Sequence, residues 1–318
     1  MSRRKRRRLC FAIVFFCLLT MLLCILFCLR DKWQGKDDTP PVTIADTLPD
    51  GNGKEAVVIL LGGQSNASGA SRVEYLKKKV EPQKYEQYEN GFDNVYINYI
   101  SGPKKSNEFV KCAVNQGEID NGFGPELGIA DKLNELYPDR TFFIIKCAFG
   151  GSNLYDQWLS PSSFGKTGEF YRVFVSFVKE NLAYLKSKNY DIKIEAMCWM
   201  QGESDAFGGD NAENYARHLK NFIKDIRREF KDDASDDGIG FVDALIADNS
   251  QFWTYYEKVN ACKREVRDLS TMNALIDTIA IGLTCAEEPE GEPDLAHYDA
   301  LSEIKLGHYF IIEASKFF

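Results

Sequence analysis

The sequence predicts an α/β domain built on a parallel sheet with helices on both faces, preceded by one transmembrane helix. Runs of residues typical of strands alternate along the chain with runs typical of helices, which is the order expected of a parallel sheet. The strand-like runs are apolar almost throughout, which indicates that both faces of the sheet are covered. A long apolar segment near the N-terminus follows a basic block and predicts the membrane helix.

The N-terminal segment is predicted to anchor the chain in a membrane. Residues 1–8 form a basic tail, and Leu9–Leu29 is apolar apart from Thr20. As a helix this run would extend about 31 Å, close to the thickness of the hydrocarbon core of a bilayer. A cleaved signal peptide is the main alternative, but its apolar region is usually shorter and ends at small residues, which this run lacks. We expect an uncleaved signal-anchor with a cytoplasmic N-terminus and an extracellular or lumenal domain.

Charge is divided unevenly along the chain. The net charge is −8, although residues 1–30 contain Lys and Arg but no Asp or Glu. The rest of the chain is therefore strongly acidic and repels nucleic acid and anionic lipid headgroups. We expect a neutral or weakly charged substrate and no nucleic-acid partner, while the oligomeric state stays open.

The cysteines beyond the N-terminal segment form no CxxC pattern of a metal site. An exported domain permits disulfides, and their odd number leaves at least one thiol unpaired unless it pairs between chains. The pairing stays open among Cys112, Cys147, Cys198, Cys262 and Cys285. The sequence has no HExxH motif and no close pair of histidines, so we expect neither a catalytic metal nor another cofactor.

Residues 30–54 are charged and rich in turn formers, and are predicted to link the membrane segment to a domain at residues 55–318. Strands are predicted at Ala56–Leu61, Val95–Ile100, Thr141–Phe149, Ile192–Met200, Ile239–Ile246 and Ala274–Ile281. Apolar residues at helical spacing predict helices at Pro125–Tyr137, Phe170–Lys188, Asn214–Phe230, Trp253–Leu269 and Asp299–Phe317. Active sites of parallel sheets form beyond the carboxyl ends of the strands, so the candidate site lies in the segments that follow them.

Ser65 is the candidate nucleophile. It follows the first predicted strand and lies between Gly63 and Gly69, on a turn where glycine allows a tight backbone and close approach of a substrate. A serine hydroxyl attacks a carbonyl only when a base removes its proton. A helix N-cap or a phosphate-binding loop is the alternative, although the Lys-Ser/Thr ending of such a loop is missing.

The base must come from one of three histidines. His218 lies in a predicted amphipathic helix, and His308 lies beside aromatic residues in the closing helix, so both are expected to pack. His297 lies in a polar loop three residues after Asp294. In one turn that spacing lets the carboxylate reach Nδ1 of the ring and hold its tautomer, although an ordinary surface turn has the same spacing.

Acyl transfer also needs hydrogen-bond donors directed at the oxyanion. Candidates are the backbone N–H groups of Ser65 and Gly151 and the side chain of Gln201, which ends a strand. A plain turn at Gly151, or a loop contact by Gln201, is the alternative. The sequence leaves open whether Glu203 orients the histidine, supports the loops or does neither. The sequon at Asn66 overlaps the nucleophile turn, so we expect it to carry no glycan.

These segments together resemble the SGNH/GDSL hydrolases, in the branch of sialate O-acetylesterases and the acetylxylan esterases of carbohydrate esterase family six. The resemblance covers about residues 56–310 and rests on five blocks in order. They are Gly63–Asn66, Gly124–Leu127, Gly150–Ser152 with Trp158, Gln201–Asp205 and Asp294–His297. Ala67 stands where the family often has Met, which bears on the choice of substrate.

The resemblance implies a flavodoxin-like, three-layer αβα sandwich and removal of acetyl groups from sugar hydroxyls. It places the nucleophile on Ser65, the base on His297 and the acid on Asp294. The oxyanion hole falls to Ser65, Gly151 and Gln201. We expect Asn66 and Glu203 to support the site, and the role of Glu203 stays open. An esterase or lipase for other acyl esters, and an inactive carbohydrate-binding surface protein, are the alternatives.

Overall fold

The fold is built on one large sheet whose central strands are parallel. In this computed structural model, which describes residues 43–249 and 251–318, the strands are β1 (Glu55–Gly63), β2 (Ser71–Arg72), β3 (Val95–Ser101), β4 (Lys104–Lys105), β5 (Val110–Lys111), β6 (Gly122–Phe123), β7 (Thr141–Ala148), β8 (Asp191–Met200), β9 (Gly240–Ala244) and β10 (Asn273–Ile276). The order across the sheet is β10, β9, β8, β1, β7, β3, with every pair parallel. Strands β4 and β5 extend the β3 edge in antiparallel fashion, and β2 pairs with β6 in a separate ribbon.

Helices connect the strands and cover the sheet. They are α1 (Ser65–Ser68), α2 (Val73–Lys79), α3 (Pro82–Asn90), α4 (Pro125–Leu136), α5 (Glu169–Ser187), α6 (Gly209–Glu229), α7 (Tyr256–Arg267) and α8 (Ala300–Ala314). Strands β1 and β7 are buried along nearly their whole length, on residues that point to either side. The prediction of an α/β fold with a mainly parallel sheet is confirmed.

The predicted elements are present, with some differences. The short strands β2, β4, β5 and β6 were not predicted. Helices α2 and α3 were not predicted either, because each has only two buried positions among charged and polar residues, too few for a clear apolar period. The last strand was predicted to reach Ile281 but ends at Ile276. Asp277 redirects the chain there, since its carboxylate accepts the Ala280 N–H at 3.0 Å and its carbonyl accepts the Ile281 N–H at 3.0 Å.

An aromatic cluster fixes the loop after β7 against the sheet. The ring of Trp158 meets that of Trp199 on β8 edge to face, with centroids 5.1 Å apart, and also contacts Phe222 on α6. Such pairs contribute about 0.5–1.5 kcal/mol beyond the burial of their area. The Trp158 Nε1–H donates to Ser152 Oγ at 2.7 Å. This bond holds the Gly150–Ser152 turn close to the end of the sheet.

The segment before β1 is described only from residue 43. Within it, Leu48 is buried, Asp46 pairs with Lys188 at 2.8 Å, and Gly51 N–H donates to the Lys188 carbonyl, so this part packs on the end of α5. The predicted transmembrane helix at residues 9–29 lies outside the described residues. Among the described helices, none is both long and apolar enough to cross a bilayer.

All five cysteines of the domain are buried and unpaired in the structure, which answers the question that the sequence left open. Burial raises the pKa of Cys147 and Cys198, the two thiols expected inside strands, well above the ordinary value. They are therefore neutral packing groups, in keeping with their positions in the central sheet.

Candidate active site

The candidate nucleophile lies at the carboxyl edge of the sheet. Gly63 at the end of β1 is in register with Ala148 on β7 and Met200 on β8. Ser65 lies two residues later, after Gln64, and begins α1; it is partly exposed. Gly63 has φ +142°, and a Cβ there would overlap the Met200 carbonyl, so only glycine allows this approach to β8. The register brings Ser65 next to the loops that follow β7 and β8.

His297 and Asp294 form a hydrogen-bonded pair. The ring Nδ1 lies 2.9 Å from Asp294 Oδ2, and Asp294 Oδ1 accepts the Ala296 N–H at 3.1 Å. Both side chains are partly exposed, at 30% and 42%. Since the carboxylate only accepts, Nδ1 carries the hydrogen of the neutral ring and Nε2 is left as the basic atom. This is the arrangement that a general base needs.

Asn66 joins the nucleophile turn to the His297 loop. Its Oδ1 accepts the Tyr298 N–H at 3.1 Å, and its Nδ2 donates to the Ala296 carbonyl at 3.3 Å. The residue beside Ser65 therefore binds both neighbours of His297. No hydrogen bond joins Ser65 Oγ to the His297 ring within the described part of the chain, and such bonds are often long before a substrate binds.

Asn66 is buried and its amide is fully used, so the sequon at this position has no free amide nitrogen for a glycan.

Glu203 contacts Asn66 rather than the histidine ring. Its Oε1 accepts the other Asn66 Nδ2–H at 3.0 Å, and the side chain is buried. Burial raises the pKa of the Glu203 carboxyl, while the hydrogen bond from Asn66 lowers it to a smaller extent. Glu203 Oε2 has no hydrogen-bond partner among the described residues. The carboxylate that binds the His297 ring in this structure is that of Asp294.

Two backbone N–H groups lie free at the same edge. Within residues 43–249 and 251–318, neither the Ser65 N–H nor the Gly151 N–H donates a hydrogen bond. Gly151 has φ +66° and is exposed, while the Ser152 that follows is buried beneath it. The Phe149 N–H donates to the Gly63 carbonyl at 3.1 Å, which ties this turn to the end of β1. The two donors are thus available to an oxyanion.

The Gln201 amide belongs to a buried network. Its Nε2 donates to Asp205 Oδ2 at 2.7 Å and to the Ser152 carbonyl at 3.1 Å, and lies 3.3 Å from Gln64 Oε1. Tyr215 OH donates to the Gln201 Oε1 at 3.1 Å. The side chain is fully buried, so its predicted part in the oxyanion hole would need one of these bonds to be exchanged.

The other histidines lie elsewhere. His218 is buried in α6, where burial lowers its pKa. The Nε2 of His308 on α8 lies 2.9 Å from Asp131 Oδ2 on α4, a contact between two packed helices. A surface depression lined by Asp50, Asn52 and Asp191 is also remote, since it lies at the amino ends of β1 and β8. The structure therefore brings together Ser65, Asn66, Glu203, Asp294 and His297, with the Gly151 turn beside them.

Comparison with known families decides the assignment. A family model described as SASA, a carbohydrate esterase and sialic acid-specific acetylesterase, matches residues 55–316. The chain belongs to the SASA family of carbohydrate esterases. The resemblance drawn from the five blocks, and the prediction that the protein is an enzyme of this class, are confirmed.

Solved structures share the fold of this SASA-family chain. A protein from Arabidopsis thaliana is 17% identical with a TM-score of 0.59, covering 85% of this chain and 100% of its own. NanS is 16% identical with a TM-score of 0.60, covering 86% and 99%. A carbohydrate acetylesterase from Xanthomonas citri is 16% identical with a TM-score of 0.55, covering 82% and 56%. No curated protein matches the sequence.

Two supporting residues of this SASA-family site were not assigned from the sequence. Lys146 is fully buried on β7, where it pairs with Glu126 at 2.7 Å and donates to the Ser68 carbonyl at 3.0 Å, at the end of the nucleophile helix. The feature of the sequence that could have revealed Lys146 is a single charged residue inside an otherwise apolar strand. Asp205 accepts the Leu154 N–H at 2.8 Å, the Tyr155 N–H at 3.2 Å and the Gln201 amide. Burial raises the pKa of Asp205 to about 6.

Proposed function

We propose that the protein is a serine esterase that removes O-acetyl groups from carbohydrate through an acyl-enzyme on Ser65. The observation that carries the proposal is the position of the His297 loop. Asn66, next to Ser65, binds the backbone on both sides of His297, and the ring is held by Asp294. A nucleophile, a base and the group that orients the base are thereby joined through one side chain.

In the proposed mechanism, His297 Nε2 takes the proton of Ser65 Oγ as the oxygen attacks the acetyl carbonyl carbon. The carbonyl oxygen becomes an oxyanion, which accepts hydrogen bonds from the N–H groups of Ser65 and Gly151. The C–O bond to the sugar breaks, and the leaving oxygen takes the proton from the His297 imidazolium. Asp294 stabilises that imidazolium through Nδ1 and remains ionised.

The second half of the reaction repeats these roles with water. His297 takes a proton from water, the hydroxide attacks the acetyl carbon, and acetate leaves as Ser65 Oγ regains the proton. Gln201 is the third proposed oxyanion donor. Its amide would have to release the Ser152 carbonyl or Gln64 for that purpose, so the two backbone donors carry the larger part of the proposal.

The proposal extends to the fold family and to the location of the domain. The match at 55–316 and the strand order support a flavodoxin-like, three-layer sandwich of the SGNH type. The apolar run Leu9–Leu29 and the basic residues before it support a single-pass anchor with the esterase domain outside the cytosol.

Ester chain length separates this function from its alternatives. We expect the domain to hydrolyse p-nitrophenyl acetate and O-acetylated glycans but not p-nitrophenyl palmitate. Hydrolysis of both nitrophenyl esters would instead indicate a general esterase or lipase. Hydrolysis of neither ester nor of any acetylated glycan would indicate an inactive binding protein. Ser65→Ala in the same assays is the matched control for contaminating esterases.

A further inference from the structure

Exposed aromatic side chains are concentrated at the edge of the sheet that holds the candidate site. Large aromatic side chains are usually buried, yet Phe207 is 61% exposed, Phe252 41%, Tyr255 42% and Tyr155 39%. Tyr155 lies in the loop after β7, Phe207 in the loop after β8, and Phe252 and Tyr255 in the loop after β9. We refer to these four side chains as the aromatic rim.

Hydrogen bonds join the loops of the aromatic rim to one another. The Tyr155 N–H donates to Asp205 Oδ1 at 3.2 Å, two residues before Phe207. The Tyr255 N–H donates to the Ala206 carbonyl at 2.9 Å, next to the same phenylalanine. The three loops therefore form one continuous surface.

This surface is continuous with the candidate site on two sides. Asp205, which binds the Tyr155 loop, also accepts the Gln201 amide at the end of β8. Asn249, three residues before Phe252, donates through Nδ2 to the Leu295 carbonyl at 3.0 Å. Leu295 lies between Asp294 and His297. A molecule that lay on the aromatic rim would therefore lie beside the His297 loop.

The one exposed large aromatic of the described residues outside this surface is Phe164, at 93%. It follows a turn in which Ser162 N–H and Oγ donate to Asp225 on α6. Asp225 lies about 24 Å along α6 from Gly209, which begins that helix near the rim. Phe164 is thus an exposed phenylalanine distant from the site.

Charge decides what kind of molecule the aromatic rim would hold. Exposed carboxylates lie within four residues of its rings along the chain, at Asp156, Asp210 and Asp248. They repel an anionic lipid surface and an anionic sugar. A neutral sugar ring fits both features, because its axial C–H groups form an apolar face for an aromatic ring while its hydroxyls reach carboxylates and water.

We propose that the aromatic rim binds neutral oligosaccharide residues that flank the acetylated sugar, so that the enzyme prefers acetylated chains to acetylated monosaccharides. This inference rests on the proposed function. Each ring that stacks on a sugar contributes to binding of the oligosaccharide and leaves the chemistry at Ser65 unchanged. Removal of two rings should therefore lower kcat/KM for long substrates alone.

The test compares the double variant Phe207→Ala/Phe252→Ala with the control Phe164→Ala. Substrates are p-nitrophenyl acetate, methyl acetyl-xyloside and partly acetylated xylo-oligosaccharide. We expect the double variant to lose about tenfold in kcat/KM on the oligosaccharide, which corresponds to about 1.4 kcal/mol, with the two small esters and the Tm unchanged. The control should behave as wild type. The proposal would be overturned if the ratio of kcat/KM on the oligosaccharide to kcat/KM on the small esters were the same in the wild type and the double variant.

A binding measurement separates this inference from the esterase function. In the Ser65→Ala background, neutral xylo-, cello-, manno- and chito-oligosaccharides are titrated against the domain by calorimetry. We expect at least one of them to bind and to lose affinity in the double variant, whether or not the wild type hydrolyses acetate esters. Binding of none, or binding to phosphatidylserine vesicles that depends on Phe207 and Phe252, would overturn the assignment to glycan.

Discussion

Asn66 Nδ2 donates to Glu203 Oε1 at 3.0 Å, and this buried hydrogen bond joins the nucleophile turn to the loop after β8. The same amide also binds the backbone at Ala296 and Tyr298. Three segments distant in sequence therefore meet at one side chain. In this structure Asn66 sets the relative position of Ser65 and His297, and Glu203 accepts a hydrogen bond from its amide.

Asn66→Ala should therefore impair both stability and turnover. Loss of the amide leaves the Tyr298 N–H and the Glu203 carboxylate without partners, which costs about 1–3 kcal/mol for each buried group. The freed His297 loop should lower kcat more than it raises KM. Urea unfolding and steady-state kinetics on p-nitrophenyl acetate measure the two effects.

Asn98→Ala is the matched control for that variant. Asn98 is also fully buried and donates through Nδ2 to Asn181 at 2.7 Å, but it lies within β3. Its replacement should destabilise the fold while leaving kcat close to wild type. If both variants lose the same fraction of kcat, Asn66 has no special part in positioning His297.

Asp294→Asn should reduce kcat by several orders of magnitude, about 10⁴ by analogy with triad enzymes, because an amide can favour the wrong ring tautomer. Glu203→Gln should cost far less, since Gln keeps an oxygen that accepts the Asn66 amide. The kcat values of the two variants, compared when their Tm values are equal, decide which carboxylate orients His297. A larger loss in Glu203→Gln than in Asp294→Asn would transfer the orienting role to Glu203.

The main elements of the sheet and the pair Asp294–His297 were predictable from local patterns. Strands such as β1 and β7 are apolar throughout, and a spacing of three residues brings a carboxylate to a ring within one turn. Asn66 was expected to support the site, but the groups that it and Asp205 bind were not predictable. Their partners lie far along the chain, as the bonds of Asn66 to Glu203 and of Asp205 to Leu154 show. Only the register of the strands determines which loops meet.

Asp205 gives the stability of the domain a distinctive dependence on pH. Its folded pKa is about 6, above the ordinary 3.8, because burial disfavours the charged form. Between these values the folded chain holds a proton that the unfolded chain lacks, so acidification stabilises the wild type at this group. The free energy of unfolding that is lost in Asp205→Asn should therefore be larger at pH 5 than at pH 7, by about 1 kcal/mol. Urea unfolding of both proteins at the two pH values measures it, and a cost that is equal or smaller at pH 5 would contradict the assignment.

Leu9–Leu29 should remain in the mature protein as a membrane anchor. Alkaline carbonate should leave the full chain in the membrane pellet, because a spanning helix is not released by changes of charge. Protease added to sealed microsomes should spare residues 31–318 if the domain lies on the lumenal side. A soluble product that begins within residues 30–54 would show instead that the segment is a cleaved signal peptide.

The most direct test of the central claim is to locate the acyl-enzyme. The wild-type domain is treated with a fluorophosphonate, digested, and the modified residue is identified by mass spectrometry. We expect modification on Ser65 alone, strong loss of labelling in His297→Ala, and no labelling or esterase activity in Ser65→Ala with the Tm near wild type. Labelling that persists in Ser65→Ala, or a modified residue other than Ser65 in the wild type, would contradict the assignment of the nucleophile.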